Sequence, residues 1–195
     1  QVSRPTARQA LQRLVDRGLL TRRRGVGTLV SPPHVHRPME LTSLLSDLTD
    51  AGHHVSTSIT RYEMRAATQE EAKALGVDEG EVVAHIERIR YADDEPIAIL
   101  TNLLPADITP AMQELENGSL YELMRRRDVV LTSAHQVIGA RTASSKEARL
   151  LNESRGAAVL TARRTTYDPS GRVVEHGNHI YRASLYSFET TLFSN

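Results

Sequence analysis

The sequence predicts an α+β protein in two unequal parts, a small basic helix-and-hairpin piece and a larger antiparallel-sheet domain with an internal duplication. Three observations predict it. Arginine is concentrated at the start of the chain, a fixed shift aligns two later stretches with each other, and each aligned stretch alternates strand, short-helix and hairpin signals. A chain of 195 residues, 39% apolar and 25% charged, can bury a core, and this composition excludes wholesale disorder. The absence of cysteine excludes disulfides, thiolate zinc sites and thiol catalysis. With no apolar run long enough to span a membrane and no secretory leader pattern, a cytoplasmic protein without membrane partners is expected.

The formal net charge of zero conceals a division. Residues 1–30 hold seven arginines against one acid, Asp16, for a charge of +6, and the rest of the chain carries −6. A basic piece suited to a polyanion is thus joined to an acidic body that is not.

Within the basic piece, Ser3 can cap a helix, Pro5 suits its first turn and Gly18 can end it, so residues 4–17 read as helical. Ala7, Leu11, Leu14 and Val15 form an apolar stripe. The runs 19–22 and 28–30 are short strand candidates around the turn Arg23-Arg24-Gly25-Val26-Gly27. Helix then basic hairpin is the order in which a winged helix-turn-helix meets double-stranded DNA. The helix enters the major groove with Ser3, Arg4, Thr6 and Arg8 near its leading end, and the wing arginines Arg23 and Arg24 meet phosphate or the minor groove. Arginine suits both tasks because its planar fork is bidentate to guanine or phosphate. A solvated basic surface without a ligand is the plainer alternative.

The string SRPTARQALQRLVDRGLLTRRRGVGTLV resembles the second half of the DNA-binding domain of GntR-family bacterial transcription regulators. The resemblance implies that Arg4 and Arg8 lie near bases or phosphates with Thr6 beside them, and that Gly27 marks the wing tip. It also implies that the first two helices of that domain would precede Val2, so residues 1–31 form a partial winged helix-turn-helix, too small to fold alone.

Residues 32–40 hold Pro32, Pro33 and Pro38 and read as an extended connector. His34 and His36 could ligate a metal only with further ligands, which the neighbourhood lacks, so no metal or other cofactor is expected.

The acidic part, residues 41–195, carries the duplication. A shift of 76 pairs Arg65 with Arg141, Ala67 with Ala143, Glu71 with Glu147, Ala72 with Ala148, Leu75 with Leu151 and Gly80 with Gly156. It also pairs Val83 with Val159, Arg88 with Arg164, Tyr91 with Tyr167 and Asn102 with Asn178. Each copy reads as a strand (57–64 or 133–140), a helix capped by Thr68 or Ser144 (68–75 or 144–151), a strand (82–91 or 158–167), a turn and a return strand. A further helix is expected from Leu120 to Arg127.

Arg88 and Arg90 are two apart on a strand, so they share a face about 6.6 Å apart along it. Two like charges placed so sit most comfortably around an anion, although pairing with acids or exposure to water would also account for them. Ser119 with Glu122 fits a capping box, which accounts for both residues structurally, and a helix start with free amides and a hydroxyl is also a ready anion cradle. Thr42-Ser43-Leu44-Leu45 offers a similar helix start beside the connector.

The strings ERIRYADDEPIA, SLYEL and RRTTYDPSGRVVEHGNHIYR resemble the effector-binding (UTRA) domain of the HutC-type branch of the GntR family, whose fold is similar to chorismate lyase. The resemblance implies that Arg88, Arg90, Ser119, Tyr121 and the amides of Leu44 and Leu45 hold an anion, while Glu175 and Tyr181 read a sugar. Leu100 departs from the glutamate found in many relatives, and His179 adds a group near the same strand. The expected protein is a ligand-responsive repressor, a homodimer on a palindromic operator, controlled by a small anionic metabolite such as a phosphorylated sugar. The contrasting readings are a chorismate-lyase-like enzyme and a ligand-binding module without DNA binding. Catalysis lacks a nucleophile with a positioned base, since Glu175 and His176 are strand neighbours that face opposite ways.

Overall fold

The computed structural model describes residues 3–16, 20–23, 27–30, 35–38 and 41–190, and at positions 4, 5, 14–16, 20–23, 29–30 and 35–38 the backbone alone. Helix α1 spans Arg4–Asp16. Ser3 caps it, accepting from the Thr6 amide at 3.3 Å. Strands β1 (Leu20–Arg23) and β2 (Gly27–Val30) form the expected hairpin, with Arg23 opposite Gly27. The first two members of the expected apolar stripe, Ala7 and Leu11, are exposed, because none of the described residues covers them.

The body of the protein is a six-stranded antiparallel sheet in the order β4-β5-β6-β9-β8-β7. Its strands are β4 (Val55–Ala66), β5 (Val82–Ala92), β6 (Glu95–Pro105), β7 (Ser133–Thr142), β8 (Ala158–Tyr167) and β9 (Val173–Arg182). Both hairpin turns form as their residues demand. Asp93 and Asp94 take positive φ in a tight turn, and Asp168 Oδ1 accepts from the amides of Ser170 and Arg172 in the longer one.

Alternation along the strands divides the core between two faces. One face packs on α3 (Gln69–Leu75) and α6 (Ser145–Leu150), whose Ala72, Leu75 and Ala148 meet Val83, Leu103, Ile99 and Val159. The other packs on α2 (Leu44–Asp50), α4 (Met112–Asn117) and α5 (Leu120–Arg125). There Leu48, Leu115, Tyr121 and Met124 lie against Ala84, Ile86, Ala98, Leu104 and Tyr181.

The duplication is structural. Thr68 and Ser144 cap α3 and α6 in matching capping boxes, and Arg65 and Arg141 each clasp the glutamate of the box, Glu71 or Glu147, through two bonds of 2.7–2.8 Å. The register changes after Tyr91 and Tyr167. Arg88 stands opposite Leu100, whereas its repeat partner Arg164 stands opposite Gly177, so on the return strands Leu100 corresponds to Gly177 rather than to His176. The extra residue sits in the longer second turn. It removes Asn102 and Asn178 from equivalence: Asn102 is buried on the α5 face, while Asn178, opposite Thr101, is exposed.

Three features were not expected from the sequence. Helix α4 and a 3-10 turn at Ala106–Ile108 fill the segment between the two halves. Ser119 caps α5 by accepting weakly from the Glu122 amide at 3.5 Å, without the reciprocal bond of a full capping box. Strand β3 (Val35–Pro38), inside the segment read as a connector, pairs in parallel with β10 (Tyr186–Glu189).

Candidate functional site

Even-numbered residues of β5 point to the face covered by α2 and α5, so Arg88 and Arg90 project there beneath both helices. They are 3% and 2% exposed. Arg88 Nη2 donates to Asn102 Oδ1 at 2.8 Å, and Arg90 Nη1 donates to Thr57 Oγ1. Nε and Nη1 of Arg88 and Nε of Arg90 are buried without a hydrogen-bond partner among the described residues. Neither arginine forms a salt bridge within 4.0 Å among the described residues, so the pairing-with-acids account does not apply.

Burial therefore acts on these charges with little opposition. Desolvation lowers Arg88 to about 10 despite the countering field of Glu175. It lowers Arg90 to about 9, with Arg88 adding repulsion. Two cationic forks held out of water with open N–H groups are costly unless something negative completes them.

Behind them runs a hydrogen-bond network centred on Glu175, which is fully buried. Glu175 Oε1 accepts from Asn102 Nδ2 at 2.7 Å, and Oε2 accepts from Thr166 Oγ1 at 2.8 Å and Tyr121 Oη at 3.2 Å. Burial, with Glu175 beside it, pushes the Tyr121 phenol up to about 12, which keeps it a donor. His179 Nε2 lies 3.2 Å from Asn102 Nδ2, and its Nδ1 lies 3.3 Å from Tyr181 Oη. This crowding requires Gly177: a Cβ there would collide with Glu175 Oε1 and come within 2.7 Å of His179 Nε2.

A recess opens over this network, with about 400 Å³ of free space when the open solvent at its mouth is included. Of the residues expected to bind an effector, Leu44, Leu45, Arg88, Arg90, Ser119, Tyr121 and Tyr181 all line it. Glu175 does not. It stands behind the wall, holding Tyr121 and Asn102. Leu100 and His179 also line the recess, as do Asn102 and Arg164, which sequence reasoning did not single out. A signal for Arg164 existed, since it is the repeat partner of Arg88. No spacing pattern marked Asn102 as a linchpin.

In the basic piece Ser3, Thr6 and Arg8 are exposed on the leading turns of α1, with Ser3 and Thr6 hydroxyls 2.7 Å apart. Gly27 opens β2 with φ 110°, a conformation that other residues rarely adopt. The side chains of Arg4 and Arg23 and the whole of Arg24 lie outside the described residues, as does His34. Among the described residues no cluster of three or more histidine and acidic side chains could hold a metal, and no helix is long and apolar enough to cross a membrane.

Comparison with known proteins places both parts. The UTRA domain family matches residues 50–187, and the bacterial regulatory proteins of the gntR family match residues 1–30. The chain is 34% identical to the HTH-type transcriptional repressor NagR of Bacillus subtilis (strain 168), over 96% of this chain and 78% of that protein. It is 32% identical to the histidine utilization repressor of Pseudomonas putida, over 87% of this chain and 68% of that protein. The crystal structure of PhnF from Mycobacterium smegmatis superposes with a TM-score of 0.87 at 27% identity, covering 100% of this chain and 87% of that one.

Proposed function

The chain belongs to the gntR family of bacterial regulatory proteins and carries a UTRA domain, and from that membership we propose that it is a repressor that binds a palindromic operator as a homodimer and answers to a small anionic metabolite such as a phosphorylated sugar. The chain is a transcription regulator of the HutC type, as its relatives are, and not an enzyme.

The observation that carries the effector reading is the pair of buried guanidinium groups, Arg88 and Arg90, with unpartnered N–H donors at a small recess. In this reading they hold the anion together with the amides of Leu44 and Leu45, Ser119 and Tyr121. Tyr181 contacts the rest of the ligand, and Glu175 keeps Tyr121 and Asn102 in place for it. Residues 1–31 read DNA, with Ser3, Arg4, Thr6 and Arg8 of the helix at the major groove and Arg23, Arg24 and Gly27 in the wing. Residues 32–40 connect this piece to the effector and dimerisation domain, 41–195.

A route between the two parts supports the coupling. Strand β3 of the connector pairs with β10, and Tyr186 of β10 stacks on Tyr181 of the recess wall, ring centroids 4.2 Å apart. To move a regulator from mostly bound to mostly free, the effector needs about 5.5 kcal/mol of differential affinity for one state. Two charge-assisted anchors per subunit, at about 1.5–3 kcal/mol each, are of that order.

Fluorescence anisotropy on the DNA upstream of its own gene tests the reading. Affinity should fall steeply with salt, Arg8→Ala should abolish binding, and replacing Arg88 and Arg90 by alanine should leave DNA binding but remove the response to phosphorylated sugars. Salt-insensitive association, or induction that survives the double replacement, would refute it.

A further inference from the structure

The recess holds more positive charge than one anionic group uses. Arg88 and Arg90 enter it from β5 and Arg164 enters it from β8, while among the described residues no carboxylate lines it. The adjoining acid, Glu175, is fully buried, and both of its oxygens already accept hydrogen bonds from Asn102, Thr166 and Tyr121. Three guanidinium groups against one carboxylate leave two positive charges uncompensated. Leu100, directly across the ladder from Arg88, contributes none.

Arg164 is the counterpart of Arg88 in the second half of the sheet, on the same face and 4% exposed. Its Nε donates to Gln136 Oε1 at 2.7 Å, and its Nη1 reaches Tyr121 Oη at 3.4 Å. Gln136 on β7 thus fixes the guanidinium plane with a neutral partner, Tyr121 makes a long contact, and neither bond uses Nη2. The side chain is oriented without being neutralised. The row of Arg88 runs through Leu100 and His179 to Ala162, so three inter-strand steps of about 4.8 Å and a two-residue offset of about 6.6 Å put the Cα atoms of Arg88 and Arg164 about 16 Å apart, and both forks turn inward, one onto Asn102 and the other onto Tyr121. A short carbon skeleton spans what is left between them.

Resting on the anionic-effector reading above, we propose that Arg164 is a second anion anchor, and that the ligand is a small molecule with two separated anionic groups and no ammonium group. One group, a phosphate or phosphonate, sits on Arg88 and Arg90; the other, a carboxylate or second phosphate, sits on Arg164. An ammonium group finds no open carboxylate in the wall and meets three cations, so the recess selects against it.

Isothermal titration of the chain with three probes separates these claims: glycerol 3-phosphate (one anionic group), 3-phosphoglycerate (two) and O-phosphoserine (two plus ammonium). The second charge-assisted contact should make 3-phosphoglycerate bind about tenfold more tightly than glycerol 3-phosphate, with O-phosphoserine weaker than 3-phosphoglycerate. Arg164→Gln should erase the tenfold difference yet leave glycerol 3-phosphate binding within about twofold, and Arg164→Lys, which keeps the charge without the fork, should retain part of it. Equal affinity for the first two probes in the unaltered chain, or an equal loss for both in folded Arg164→Gln, overturns the second anchor while sparing the first. If no phosphate probe binds and Arg88→Gln changes nothing, the anionic-effector reading falls, and the second anchor with it.

Discussion

Asn102 and His179 occupy equivalent positions in the two halves of the sheet and meet across its centre, Asn102 Nδ2 to His179 Nε2 at 3.2 Å. The extra position in the second hairpin turn produces this meeting, and it also puts Gly177 where the first half has Leu100. A duplicated scaffold thereby becomes an asymmetric site. Two arginines of the first half and one of the second keep their places, while the groups between them differ.

Asn102 joins two buried charges, accepting from Arg88 and donating to Glu175. Asn102→Leu fills similar volume and leaves both without that partner, so it should destabilise the protein by about 3 kcal/mol. Urea unfolding measures this directly. A loss under about 1 kcal/mol would mean that Arg88 and Glu175 find each other or water without it.

Gly177 is needed for space, since its backbone conformation is open to any residue and only the neighbouring side chains exclude a Cβ. Gly177→Ala should displace Glu175 and His179 and cost about 1–3 kcal/mol, the usual toll of overpacking. Thermal unfolding unchanged within about 1 °C would show that the network yields without strain.

Much of this architecture was legible in the sequence because local chemistry dictated it. Thr68 and Ser144 announce their helices by capping, Asp93-Asp94 and Asp168 to Gly171 announce their turns, and the alternation on β5 announces that Arg88 and Arg90 share a face. The site resisted reading where it depends on register between distant strands. Asn102 and Glu175 meet only because β6 lies beside β9, and the slip that matches Leu100 with Gly177 cannot be seen in a fixed-shift alignment. The pairing of β3 with β10 has the same cause, since two short strands near opposite ends of the chain carry no local signal of each other.

The paired clasps predict a pH dependence. Hydrogen bonds from Arg65 and Arg141 hold Glu71 and Glu147 down at about 2, against an ordinary 4.5. Each carboxyl thus takes up its proton more readily in the unfolded chain. The stability it contributes is complete above about pH 4.5 and is lost as the pH falls through about 2. Solvent screens both clasps, because the arginines are 34% and 45% exposed, so about 1 kcal/mol from each is expected. Replacing Arg65 and Arg141 together by methionine should flatten the acid limb of a stability profile taken from pH 5 to 2; an unaltered limb would show that the clasps contribute nothing.

The buried arginines should set function against stability. Arg90 is desolvated and repelled by Arg88, and among the described residues it is hydrogen-bonded to Thr57 alone, with its Nε unpartnered. A methionine of similar reach removes the unpaired charge and keeps the packing, so Arg90→Met should raise the stability of the ligand-free protein by about 1–2 kcal/mol while abolishing anion binding. Arg88→Met differs in sign: Arg88 also satisfies Asn102 and offsets Glu175, so its removal should be neutral or destabilising. Urea midpoints of both variants, with and without added phosphate compounds, decide the matter, because a bound anion stabilises only a protein that retains its anchor. If Arg90→Met proves less stable than the unaltered chain without ligand, Arg90 serves the fold, and the case for an anion completing it is lost.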